Sequence, residues 1–223
     1  IPRSVEQIFS SIAQLHKRGW NYSIEVSFVE VYNEQLRDLL IAGNAAGMTS
    51  SSSKQPSIKY DGNKAVLLDC TVAPVSNCDE VYKLLEISRA NRVVASTAMN
   101  ERSSRSHSVF IMKINGQNQQ RHEKVSSVLN LVDLAGSERI GATEQTTQVR
   151  NKETQNINLS LHHLRNVITS LAAKQSHIPY RASVLTQLLQ PSLGGDAKTL
   201  MFVNVSPVQS SLSQSLASLR FAS

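Results

Sequence analysis

Two stretches of this chain carry side chains suited to gripping a phosphate and its metal. They are Asn100-Glu101-Arg102-Ser103-Ser104-Arg105-Ser106-His107 and Asp133-Leu134-Ala135-Gly136-Ser137-Glu138. The hydroxyls of Ser103 and Ser104 can ligate a hard cation and donate to phosphate oxygens. Asp133 offers a carboxylate that holds Mg²⁺ through water, and Gly136, with no Cβ, lets a backbone N–H approach a terminal phosphate. Arg105 and Glu138 add a charge pair, one member from each stretch. Desolvation offsets most of the attraction in such a pair. Its better use is to latch two loops shut around a nucleotide. Either stretch alone is modest evidence; together, in this order, they are strong.

Such loops need a rigid rim. The apolar run Val128-Leu129-Asn130-Leu131-Val132 places Asp133 at the C-terminal edge of a buried strand, where ligands of α/β sheets bind. Apolar spacing predicts helices over 1–15, 33–40, 79–94, 153–173, 183–189 and 211–222, and strands over 23–32, 108–115, 125–134 and 200–205. A hairpin is expected from 58–60 through Asp61-Gly62-Asn63 to 65–72. Val81, Leu84, Leu85 and Val93 should line the buried side of the 79–94 helix. Ile157, Leu161, Leu164, Ile168 and Leu171 form the stripe of the longest one. Residues 42–57, rich in Gly, Ser and Ala, read as a flexible surface loop, and 117–124 as a polar connector. Strands alternating with helices imply an α/β layered sheet.

The composition sets outer bounds. With 223 residues, 40% hydrophobic and 18% charged, the chain can bury a sizeable core. No apolar run approaches a membrane span, so no membrane partner is expected, and Ile1-Pro2-Arg3-Ser4 lacks the layout of a secretory signal. The missing initial Met points to a fragment. Cys70 and Cys78 have no companions at metal-ligand spacing and read as small hydrophobes in a reduced compartment. A net charge of +6 and a pI near 9.5 favour an acidic partner. Between Arg139 and Val184 six basic residues face two acids, Glu144 and Glu153; taken alone, that cluster reads as a solvated face. Nucleic acid is not expected as the partner, because 5% aromatic content supplies no stacking platform.

Through Asn100–His107 and Asp133–Glu138 the chain closely resembles the kinesin motor domain, whose two switch motifs these stretches match. Further matches are Glu30-Val31-Tyr32-Asn33-Glu34, Asn91-Arg92, Gln155-Asn156-Ile157-Asn158, His177-Ile178-Pro179-Tyr180-Arg181, Leu200 to Pro207 and Leu219 to Ser223. The likeness spans 1–223, and more weakly it is similar to fungal minus-end-directed, karyogamy-type kinesins. It implies an α/β, P-loop NTPase-like fold, a central mixed sheet flanked by helices and incomplete at its N-terminal side. It implies a microtubule-stimulated ATPase with ATP and Mg²⁺ as cofactors. Ser104 and Asp133 would bind the metal; Asn100, Ser104, Asp133 and Gly136 would bind the nucleotide; Ser103 would place the attacking water. Arg105 and Glu138 match the inter-switch salt bridge. Residues from about 139 to 190, with the relay helix starting near Glu153, would face the microtubule, Arg150, Lys152, His177 and Arg181 touching acidic tubulin. The setting implied is the cytoplasmic cytoskeleton, including the spindle, with a dimer partner reached through regions outside this chain.

The pattern also departs from the family. None of the nine glycines precedes Lys, so the phosphate cradle G-x-x-x-x-G-K-[ST] is absent. A sheet without that region lacks a central strand and leaves N–H and C=O groups unpaired, so this segment is not expected to fold stably or hydrolyse ATP alone. Leu159, Arg165, Ala182, Val184 and Pro191 also differ from the residues usual in the family. The alternative function is a non-catalytic kinesin-like microtubule-binding module. A GTPase-like switch is disfavoured because Asn151-Lys152-Glu153-Thr154 lacks the final Asp of N-K-x-D.

Overall fold

A computed structural model of the chain describes residues 1–41, 55–62, 64–96, 105–136 and 148–222, with the side chains of 94–96 and 148–155 left aside. Helix α1 (Pro2–His16) leads into the long strand β1 (Trp20–Tyr32), which turns back into β2 (Gln35–Asp38). A separate hairpin, β3 (Ser57–Asp61) and β4 (Lys64–Leu68), is followed by β5 (Ala73–Val75) and helix α2 (Cys78–Ser96). Strands β6 (His107–Asn118) and β7 (Glu123–Asp133) precede helices α3 (Gln148–Ala172), α4 (Val184–Leu193) and α5 (Leu212–Ala222). The larger sheet runs β2-β1-β6-β7, with β5 also on β1, and its described ladders are antiparallel.

Alternation along β1 and β6 builds two cores, because successive side chains point to opposite faces. Ile24, Val26 and Phe28 pair in register with Ile114, Met112 and Phe110, and pack beneath Val5 of α1 and Val81 and Leu85 of α2. On the reverse face Val29, Val31 and Val109 meet Leu164 of α3 and Leu185, Leu188 and Leu189 of α4. Helix α2 starts where Asn77 Oδ1 accepts from the Glu80 N–H and the Glu80 carboxylate reaches back to the Ser76 N–H. Helix α4 starts on a capping box between Ser183 and Thr186.

Five expectations need correction. The strand that ends at Asp133 is not buried: no residue of β7 is sealed from water, because its outer side meets no further strand among the described residues. Residues 33–40 are not helical. Asn33 and Glu34 adopt φ of 52° and 58°, a two-residue hairpin turn that returns Gln35–Asp38 antiparallel onto Val29–Tyr32. The 117–124 connector shortens to 119–122, since β6 and β7 continue their ladder to Asn118 and Glu123. Leu200–Val205 forms no ladder among the described residues, where its apolar run meets no strand to pair with. Val93 is 58% exposed, as α2 rotates it away from the sheet. The 42–57 loop lies outside the described residues apart from 55–57, of which Ser57 opens β3.

Candidate functional site

Register brings the described ends of the two stretches together. Ser108 of β6 is the ladder partner of Asp133, so the residues just before β6 and just after β7 leave the sheet side by side. Arg92 of α2 ties them. Its Nη1 lies 3.3 Å from Asp133 Oδ2, and its Nη2 donates to both the carbonyl and the hydroxyl of Ser106 at 3.3 Å. Beneath it Glu30, fully buried in β1, lies 3.8 Å from Arg92 Nε and 3.9 Å from Arg37 Nη1. The carboxylate oxygens of Glu30 accept no hydrogen bond within the described structure, so these two guanidiniums carry its compensation. Asn91, one residue earlier, donates to the carbonyls of Leu39 and Ile41, fixing this end of α2 on the sheet.

His107 is the second tie. Its Nδ1 accepts from the Ala135 N–H at 3.0 Å, and its Nε2 lies 2.8 Å from Ser160 Oγ in α3. Ser160 donates its own proton to the Ile157 carbonyl at 2.7 Å. Those partners dictate the tautomer. Nδ1 is unprotonated because an N–H points at it, and Nε2 carries the hydrogen because Ser160 Oγ can only accept. Burial pulls the His107 pKa down to about 4; the Asp133 carboxylate opposes that pull and the Arg92 guanidinium reinforces it. The ring is therefore a neutral bridge at neutral pH.

The expected site residues divide three ways. Asp133, Gly136 and Arg105 sit at the rim, Asp133 with a side chain 75% exposed and the other two half-buried. Asn100, Ser103, Ser104 and Glu138 lie outside the described residues. Of the track-facing set, Arg150 and Lys152 belong to the first turns of α3, where side chains are not described. His177 and Arg181 are exposed in the connection from α3 to α4, more than a helix length along the chain from the rim. Arg181 stacks its guanidinium 4.2 Å above the Tyr60 ring of β3, an attraction that holds the cation in place. Sequence patterns gave Glu30, Arg92 and Ser160 no role. Glu30 hides in a strand's apolar run, and Ser160 in a helix stripe; only its intact mismatch with that stripe marks it.

Helices on both faces of a sheet, with Asp-x-x-Gly beside a Ser-His pair at one rim, is the layout of an α/β nucleotide-switch fold. The sequence profile of the Kinesin motor domain matches residues 1–223, and the chain belongs to that family. It is 52% identical over 230 residues to carboxy-terminal kinesin 2 of Xenopus laevis, covering 100% of this chain and 34% of that protein. It is 50% identical over 226 residues to the kinesin-like protein klpA of Emericella nidulans, covering 100% and 29%. Among solved structures, the motor domain of the Saccharomyces cerevisiae kinesin-related protein Kar3 superposes with a TM-score of 0.84 at 42% identity, covering 100% of this chain and 66% of that one. The motor and motor homology domain of Kar3Vik1 fused to a synthetic heterodimeric coiled coil gives 0.86 at 41%, covering 100% and 56%. The fold is thus that of a kinesin motor, and the likeness to karyogamy-type kinesins holds. The chain spans about a third of the length of the curated relatives it matches.

Proposed function

We propose that this chain is the nucleotide-sensing and track-facing part of an ATP-driven microtubule motor. The observation that carries the reading is the Arg92 fork, which holds Asp133 and Ser106 against each other at the sheet rim. Asp133 suits a hydrated Mg²⁺: a carboxylate three-quarters exposed, with one oxygen steadied by a guanidinium. When bound, the ion neutralises charge on the β- and γ-phosphates of ATP. In this reading Ser104 shares the metal and Ser103 orients the attacking water. Asn100 steadies the nucleotide, and the Gly136 N–H donates to the γ-phosphate. Arg105 and Glu138 close the two segments over the triphosphate. Positioning and charge stabilisation of this kind are what phosphoryl transfer requires of a protein.

Helix α3 carries the rim's state to the track. Arg150, Lys152, His177 and Arg181 present positive charge to acidic tubulin, placing the protein on cytoplasmic microtubules, the spindle included, with a dimer partner joined through other regions. The test is ATP turnover of the full-length protein with and without microtubules. Microtubules should accelerate it, and Glu138→Ala should remove about 100-fold of the stimulated rate while labelled ATP still binds. Turnover indifferent to Glu138→Ala overturns the proposal. Arg181→Ala should raise the microtubule concentration for half-maximal rate, by a factor that shrinks as salt is added.

A further inference from the structure

The His107 side chain hydrogen-bonds both the 133–136 segment and α3, and both of its ring nitrogens are occupied in doing so. Its backbone is fixed in the sheet, since it pairs with Val31 at the start of β6. The two hydrogen bonds are not independent. Ser160 Oγ sends its proton to the Ile157 carbonyl, so it needs a donor on Nε2. A neutral imidazole offers that donor only while Nδ1 is stripped of hydrogen, and the Ala135 N–H enforces this. At 2% exposure the ring is shielded from bulk water, so a lost partner is costly to replace.

We propose that His107 is a positioning residue whose tautomer reports the place of the Ala135–Gly136 backbone to α3. This deepens the motor reading and rests on it. When Ala135 donates to Nδ1, the Ile157–Ser160 turn of α3 is seated on the sheet. When the backbone at 135 shifts, the ring is free to carry its hydrogen on Nδ1, and Ser160 loses its donor. The seat of α3 thus follows an amide adjacent to the one that meets the γ-phosphate.

The experiment uses the full-length protein and three variants. Ser160→Ala should leave turnover without microtubules within about twofold and lower the microtubule-stimulated kcat by about tenfold, the size of one buried hydrogen bond. His107→Asn keeps an acceptor near the Nδ1 position but cannot reach Ser160, so it should share the stimulated loss. The double variant should lose no more than either single one, because all three break the same link. A stimulated kcat untouched by Ser160→Ala, equal losses with and without microtubules, or multiplying losses in the double variant overturn the inference. If His107→Asn fails to fold, Ser160→Ala decides alone. A wild type showing no microtubule stimulation sinks the motor reading instead. In that event ¹⁵N spectra of the histidine rings, taken with and without Mg²⁺ and ATP, decide the inference: a His107 tautomer that shifts between Nε2–H and Nδ1–H supports it, and one that stays fixed overturns it.

Discussion

The two sides of the sheet are finished to different standards. Around β1 and β6, Val26, Val29, Val109 and Met112 are sealed from water, with α1 and α2 above and α3 and α4 below. On the far flank β7 is an edge among the described residues, and Val128 is 52% exposed on it. Among the described residues the run from Leu200 to Val205 has no ladder, and its Phe202 is 81% exposed. Apolar surface of this kind, next to unpaired backbone groups, is shaped to be covered. The buried packing of the described residues therefore lies in the β1–β6 half. The rim, at the end of β7, sits on the seam between the halves.

The sharpest way to break this contrast is a matched pair of truncations. Phe28→Ala should lower the unfolding free energy of the full-length protein's motor domain by about 3–5 kcal/mol, since Phe28 is buried against Phe110 at 4.8 Å between ring centres. Phe202→Ala should change it by less than about 0.5 kcal/mol. Urea titration measures both, and a cost above about 2 kcal/mol for Phe202→Ala would mean the flank is covered after all. At the seam, Arg92→Leu strands the buried Glu30 carboxylate with only the half-exposed Arg37 and should cost about 3 kcal/mol by the same titration.

Acid should act next, through His107. Its folded pKa of about 4 lies below the ordinary 6.5, so the unfolded chain takes the proton first as pH falls. The stabilisation from keeping the ring neutral is whole above pH 6.5 and is lost progressively down to pH 4, about 3 kcal/mol at most. His107→Asn should flatten the stability curve across that window; an unchanged slope would assign the acid sensitivity elsewhere. The smallest effect belongs to the edge. Val128→Lys should leave the urea midpoint unmoved and reduce light scattering from concentrated chain, because a charge blunts edge-to-edge pairing.

The long elements were legible because their patterns were long. The stripe from Ile157 to Leu171 marked α3, and alternation through Ile24, Val26 and Phe28 marked β1. Short patterns misled. Leu36, Leu39 and Leu40 fall at helical spacing, yet the left-handed Asn33 and Glu34 turn that stretch into a strand. Leu200–Val205 has strand composition, but a strand exists only with a ladder partner. At the site, the run into Asp133 marked the rim where the described ends of the two stretches meet. The fork of Arg92, the buried Glu30 and the Ser160 contact had no such mark. Each joins residues tens of positions apart, and nothing local in sequence announces a partner at that distance.

The corner at Asn33 and Glu34 has a consequence for drift. Asn33 Oδ1 accepts from the Asn156 amide of α3 at 2.6 Å, and Glu34 Oε2 accepts from the Val184 N–H that opens α4 at 2.8 Å. Glycine would suit the backbone of both residues better than what stands there. It would also sever the tethers of two helices in one stroke. Replacement here is boxed in from both directions: small residues forfeit the moorings, and branched ones forfeit the bend.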